Sequence, residues 1–290
     1  MSYVIVTDSA ANLPEEIYER FNITVISLSF HVDGKEYKSY EKGKKTDLKQ
    51  FYNMMRSKEA ITTSLIGPDE FTQVFSEILE SGKDVLYIGF DSALSGTYQS
   101  ATIAAKDLEE RYPDRRIVTI DSLCASIGEG LLVYYAAKLK EEGKSLDEVS
   151  AWAEEHRLNV CHWFTVDDLF FLKRGGRVSA TTAVVGSLLQ VKPVMHVSDA
   201  GKLEVVSKAR GRKQAMNALV KEMEKTVKDP QKQLVMVGHG DCLEDAEYVM
   251  NLIKEKFTVK ESIIHYLDPV IGAHSGPGTL AVFFMGEARK

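Results

Sequence analysis

The sequence predicts an α/β protein in two parts, a mostly parallel α/β domain over residues 1–158 and a mixed α+β domain over residues 159–290. Three observations carry this. In the first part, short apolar runs alternate with stretches of helical periodicity. Strands separated by helices favour a parallel sheet covered on both faces. In the second part, Ser198-Asp199-Ala200-Gly201 lies between two apolar runs and reads as a hairpin among helices. The chain has 290 residues, 44% of them hydrophobic, which suits two domains of ordinary size.

The elements follow in order. Residues 3–7 form an apolar strand that Asp8-Ser9 ends, and Pro14 stands where a first helical turn begins. Residues 23–30 read as one strand, and Val32-Asp33-Gly34 supplies the turn of a hairpin with residues 36–38. Helices are expected over 48–55 and 68–79, the second with Phe71, Val74, Phe75 and Ile78 on one face. A strand at 85–90 leads to a helix at 95–110, and a strand at 116–120 leads to helices at 127–142 and 146–156. The second part opens with a strand at 160–166, a short helix to Lys173, the turn Gly175-Gly176 and a helix through 183–189. The hairpin strands 193–197 and 203–207 follow, then a helix at 212–227, a strand at 233–238, a helix at 243–257 and strands at 259–265 and 280–285.

Composition excludes several classes. The net charge of -6, from 36 basic and 42 acidic residues, argues against nucleic acid, which binds through counterion release by Lys and Arg. No apolar run approaches the roughly 18 residues of a membrane span. The N-terminus lacks the features of a signal peptide, so a cytoplasmic location is expected. Cys124, Cys161 and Cys242 are too few and too scattered for a disulfide framework or a zinc site. There is no G-x-S-x-G, no P-loop and no H-E-x-x-H. Gly276-Pro277-Gly278-Thr279-Leu280-Ala281 matches G-x-G-x-x-A but runs into a strand, where a dinucleotide site needs a helix. No metal, nucleotide or other cofactor is therefore expected.

Four constellations remain. Leu94-Ser95-Gly96-Thr97 sits between a strand and a helix, where free N–H groups seat an anion or where Ser95 only caps its own helix. Thr62-Thr63-Ser64 precedes Pro68 and reads as a helix cap or a hydroxyl cluster. Residues 270–278 read as a glycine loop holding His274, which either approaches a ligand closely or is plain surface. The other six histidines read as structural or exposed. Lys173-Arg174-Gly175-Gly176-Arg177 and Arg210-Gly211-Arg212-Lys213 are basic loops that hold a phosphate, dock an acidic partner or are simply solvated.

Together these segments resemble the DegV family, bacterial fatty-acid-binding proteins that serve as acyl carriers for a fatty-acid kinase. The resemblance runs from Thr7-Asp8-Ser9 and Asn12-Leu13-Pro14 through Thr63-Ser64, residues 94–101, Asp121-Ser122 and residues 172–179 to the segment holding His274. Two departures stand out. Leu65-Ile66 replaces a common Gln-Pro, and Asp91-Ser92 replaces a common Ser-Ser pair.

The resemblance implies a ligand tunnel between the two domains that buries a long-chain fatty acid. It implies a hydrogen-bond network of Thr63, Ser95 and His274 around the carboxyl group, Arg177 near the phosphate of an acyl-phosphate, and Arg210 at the docking surface of a separate ATP-dependent kinase. The product would feed phospholipid synthesis, and no residue of this chain would be catalytic. Burying an acyl chain yields about 0.8 kcal/mol per CH₂, whereas a carboxylate cannot follow without a large desolvation cost. Ala183, Val184, Val185, Leu188 and Leu189, with Phe283 and Phe284, would line the tunnel or be ordinary core. A bound carboxylate is expected to raise the pKa of His274. The alternatives are a stand-alone hydrolase with Ser95 as nucleophile and His274 as base, for which no third residue is evident, or a regulatory lipid sensor.

Overall fold

Three sheets organise the residues that the computed structural model describes, 2–179 and 191–289. The expected helix at 183–189, with Ala183, Val184, Val185, Leu188 and Leu189, lies outside the described residues. Elements are numbered in chain order.

The first sheet is parallel throughout. It orders β2 (Thr24–Ile26), β1 (Tyr3–Asp8), β6 (Asp84–Gly89) and β7 (Ile117–Asp121). Every residue of β1 and β6 is buried, which is why both read as apolar runs without alternation. Helices α3 (Pro68–Glu80) and α4 (Thr97–Arg111) cover one face, setting Phe71, Phe75 and Leu108 against Val4, Val6 and Tyr87.

The second sheet is antiparallel, with β3 (Ser29–Val32) between β4 (Lys35–Lys38) and β5 (Ile61–Ser64). The single strand expected at 23–30 is therefore two. Between β2 and β3 the ladder gives way to side-chain bonds, because Leu28 N donates to Ser9 Oγ and Tyr40 N donates to Ser27 Oγ. The expected β3–β4 hairpin forms, with Asp33 (φ 50°) and Gly34 (φ 74°) both left-handed. Thr62-Thr63-Ser64 is not a helix cap. It lies in β5, and α3 starts from Gly67 without a side-chain cap.

The third sheet has six strands in the order β10-β9-β8-β13-β11-β12. These are β8 (Val160–Thr165), β9 (Val191–Val197), β10 (Leu203–Arg210), β11 (Leu234–His239), β12 (Glu261–Tyr266) and β13 (Leu280–Met285). Only β11 and β12 pair in parallel, so the sheet is mixed as expected. Helices α8 (Arg212–Thr226) and α9 (Leu243–Lys256) cover its outer face.

Helix α5 (Ile127–Glu141) lies between the first and third sheets. It is buried nearly all round, as a helix with sheets on two sides must be. One hydrophobic cluster takes in Ile5 and Ile88, Leu131 and Leu132 of α5, and Phe164, Met236 and Phe283, so the core is continuous across Leu158. Glycine permits this approach: a Cβ on Gly128 would lie 1.9 Å from His162 Nε2, and one on Gly130 would lie 2.2 Å from the Ala11 carbonyl. Among the described residues, no helix is long and apolar enough to cross a membrane.

Candidate functional site

A cavity of about 460 Å³ opens between the carboxyl ends of the parallel strands and the third sheet. That is the place where an open α/β sheet accepts a ligand, and the size suits a small-molecule site. Its buried wall is largely apolar, with Leu28 and Phe90 on one side and Phe164, Ala281 and Phe283 on the other, although buried Ser126, His162, Ser275 and Thr279 also line it. Its half-buried or exposed wall mixes apolar residues such as Leu65, Leu94 and Ile271 with the polar Thr63, Ser92, Ser95, Arg177 and His274. An amphipathic ligand would thus lie with its apolar part inward.

Thr63 reaches the cavity from β5, where its neighbours Thr62 and Ser64 are exposed. Its Oγ1 lies 2.8 Å from His274 Nε2. His274 is not in a loop. It sits on α10 (Pro269–Ser275), which Asp268 caps by accepting from Ile271 N. Asp268-Pro269 is itself a helix-start signal, masked in the sequence by the glycines that follow. Gly276 (φ 84°) and Gly278 (φ 77°) then turn the chain into β13.

Ser95 lines the same cavity but bonds elsewhere. Its Oγ lies 2.9 Å from Thr97 Oγ1 and accepts from Thr97 N at the start of α4, whose N-cap residue is Gly96. Thr63 and His274 thus bond each other directly, while Ser95 lines the same cavity and bonds Thr97. Among the described residues His274 Nδ1 has no hydrogen-bond partner, and it faces Gly175, where a Cβ would lie 2.1 Å away. With only the protein's own groups around it, burial first, then Arg177 and Arg174, lower the His274 pKa to about 4. That is opposite to the direction expected from a bound carboxylate.

Arg177 is half-buried in the cavity wall. Its Nε donates to the Leu94 carbonyl at 3.2 Å, and another of its nitrogens donates to the Gly175 carbonyl. It spans from the turn after α7 (Phe170–Arg174) to the loop before α4. Arg210 is exposed at the end of β10 and is not among the cavity-lining residues. Its neighbour Arg212 is engaged with Asp245 and Asp167, so that basic run is partly neutralised.

Phe283 lines the cavity, but Phe284 does not. Side chains alternate along a strand, and Phe284 packs on the far face with Trp163 and Val282. Sequence reasoning missed Ser126, Ser275, Thr279 and His162, which also line the cavity. From the sequence His162 reads as structural or exposed, and no local signal marks it because α5 and the third sheet bring it there. The departures diverge. Leu65 is exposed and lines the cavity, whereas Ile66 is core. Asp91 is buried against Gly201 with one oxygen unpartnered among the described residues, and burial pushes its pKa up to about 7. Among the described residues no group of His, Cys, Asp and Glu can hold a metal ion.

A family model described as an uncharacterised protein of the DegV family matches residues 2–287. A DegV domain-containing protein of Clostridium perfringens is 45% identical over 288 residues, 99% of both chains. Among solved structures, a DegV-family protein of Thermus thermophilus, described by its fatty-acid binding, matches with a TM-score of 0.85 at 31% identity, covering 99% of this chain and 100% of that one. A stearic-acid-binding protein of Eubacterium ventriosum matches with a TM-score of 0.85 at 27% identity, covering 97% and 98%.

Proposed function

This chain belongs to the DegV family, and on that premise we propose that it is a cytoplasmic carrier of long-chain fatty acids that presents the carboxyl group to a separate kinase. The observation that carries the reading is the cavity itself, largely apolar in its buried part and bearing hydroxyl, imidazole and guanidinium groups toward solvent. The acyl chain gains from leaving water, while the carboxylate keeps hydrogen-bond donors at the mouth. Thr63, Ser95 and His274 bind the carboxyl group. Arg177 meets the phosphate of the acyl-phosphate, and exposed Arg210 serves kinase docking. The acid lies where two domains, 1–158 and 159–290, meet. The chain itself forms no covalent bond. Phosphoryl transfer belongs to the ATP-dependent kinase, and the acyl-phosphate goes on to phospholipid synthesis.

A carrier fits better than a Ser95/His274 hydrolase, because Ser95 bonds Thr97 rather than His274 and no group among the described residues orients His274 through Nδ1. The test is mass spectrometry of lipid extracted from the purified protein, with titration of saturated and unsaturated acids. A long-chain acid is expected to copurify and bind. A lipid-free protein that binds none of the series would end the proposal. Co-purification with a kinase, lost in Arg210→Ala while lipid stays bound, separates a carrier from a lipid sensor.

A further inference from the structure

Thr7-Asp8-Ser9 and Asn12-Leu13-Pro14 line none of the cavity, yet they hold its walls. Asn12 is 6% exposed and adopts the left-handed conformation, φ 51°. Its Nδ2 donates to the Tyr266 carbonyl at 2.9 Å. Its Oδ1 accepts from Asp268 N at 2.9 Å and from the Ser126 hydroxyl at 3.3 Å. These partners are the last residue of β12, the cap of α10 and the residue before α5. They lie 254, 256 and 114 residues away in sequence.

One of the three, Ser126, lines the cavity, and a second, Asp268, caps a helix that does. Ser126 lines it with φ 56° and ψ -142°, a conformation that side-chain-bearing residues rarely adopt unless the surroundings enforce it. Helix α10 carries Val270, Ile271, His274 and Ser275 into the cavity. At seven residues it is too short to hold itself together in isolation. His274 is six residues from Asp268, roughly 9 Å along the axis, so the place of the cap fixes the place of the ring. The 2.8 Å contact with Thr63 leaves little tolerance.

We propose that Asn12 is a positioning residue for the carboxyl end of the ligand. It sets α10, and with it His274, against Thr63, and it holds Ser126 in the wall. This rests on the fatty-acid reading above and adds a residue that never meets the ligand.

The experiment titrates wild type, Asn12→Gly and Asn12→Asp with a long-chain acid and with the methyl ester of the same chain. Asn12→Gly keeps the left-handed turn and deletes the hub. Asn12→Asp keeps the acceptor for Asp268 N and Ser126 and loses the donor to Tyr266. The expected result is about tenfold weaker acid binding in Asn12→Gly, a partial rescue in Asn12→Asp, and ester binding unchanged within about twofold. The His274 ring resonances should shift in Asn12→Gly as the Thr63 contact loosens. Parallel weakening of acid and ester, or wild-type acid binding in Asn12→Gly, would overturn the proposal. If Asn12→Gly does not fold, the acid-to-ester ratio of Asn12→Asp decides in the same way. Wild type that binds neither acid nor ester overturns the fatty-acid reading instead.

Discussion

Two polar clusters gather near the carboxyl ends of the parallel strands, and they differ in what burial does to them. The first, Thr63, Ser95, Arg177 and His274, lines the cavity and is half-buried. The second, Asp8, Glu129 and Asp268, is fully buried and outside the cavity lining. Burial favours the neutral form in both. For the imidazole that means giving up a proton, and for the carboxyl groups it means keeping one. Burial raises Asp8 to about 6 and Asp268 to about 7, and lifts Glu129 well above its ordinary value. Glu129 shows the consequence. Thr7 Oγ1 lies 2.9 Å from both the Ile88 carbonyl and Glu129 Oε1. A hydroxyl has one proton, so if Thr7 donates to Ile88, a protonated Glu129 donates to Thr7. The interior cluster thus holds the fold, while the mouth keeps its groups available.

The largest expected effect breaks the interior cluster. Asp8 accepts from Tyr87 OH, Phe90 N and Ala10 N, all buried. Asp8→Ala strands three donors and should cost about 3 kcal/mol or more. Thr63→Ala, at a site that water reaches, should cost about 1 kcal/mol. Denaturant melts of both variants check this, and equal losses would erase the distinction between the clusters.

The next effect is in the pH dependence. The raised carboxyl groups Asp8, Asp91 and Asp268 hold protons in the fold that the unfolded chain releases near pH 4. Their stabilisation is complete below about pH 4 and is lost as pH rises through 6 to 7. The lowered histidines oppose this. His274 and His239 fall to about 4, and burial takes His162 well below its usual range. Their contribution is complete above about pH 6.5 and is lost as pH falls toward 4. The two sets largely cancel between pH 4.5 and 6.5, and above that only the acids act. The melting temperature should therefore be nearly flat at acid pH and decline from 6.5 to 8. Asp268→Asn should remove roughly 1 kcal/mol of that decline. A melting temperature that rises from pH 6.5 to 8 would contradict the assignment of these groups as neutral.

The sequence revealed these clusters unequally. Strands β1 and β6 and helices α3 to α5 were legible because local periodicity and burial agree there. The residues at the mouth were legible because hydroxyls, glycines and a histidine stand out locally. Helix α10 was not, because glycine masked its cap signal. Strand β5 was not, because four residues paired only to β3 carry no period of their own. The interior acids were invisible as a group. Asp8, Glu129 and Asp268 are distant in sequence, and none of them carries a local signal that points to the other two. Only the continuous core across Leu158 brings them together.

The smallest effect concerns the His274 ring, and it asks which cause holds the ring neutral. Burial is the larger cause, and the charges of Arg177 and Arg174 add to it. Arg177 stays beside the ring because it donates to the Leu94 and Gly175 carbonyls. Arg177→Gln keeps a donor and removes the charge. The His274 pKa should then rise from about 4 but stay short of 6.5, since burial remains. A bound carboxylate acts in the same direction by favouring the imidazolium. If the proposed function holds, adding a long-chain acid to wild type should also raise the pKa, and adding it to Arg177→Gln should raise it further. An NMR titration of the ring follows all four states. A pKa that reaches 6.5 on loss of Arg177 alone would make charge, not burial, the main cause. A ring that does not respond to a tightly bound acid would put the carboxyl group elsewhere in the cavity. The mouth would then be polar for some reason other than holding a headgroup.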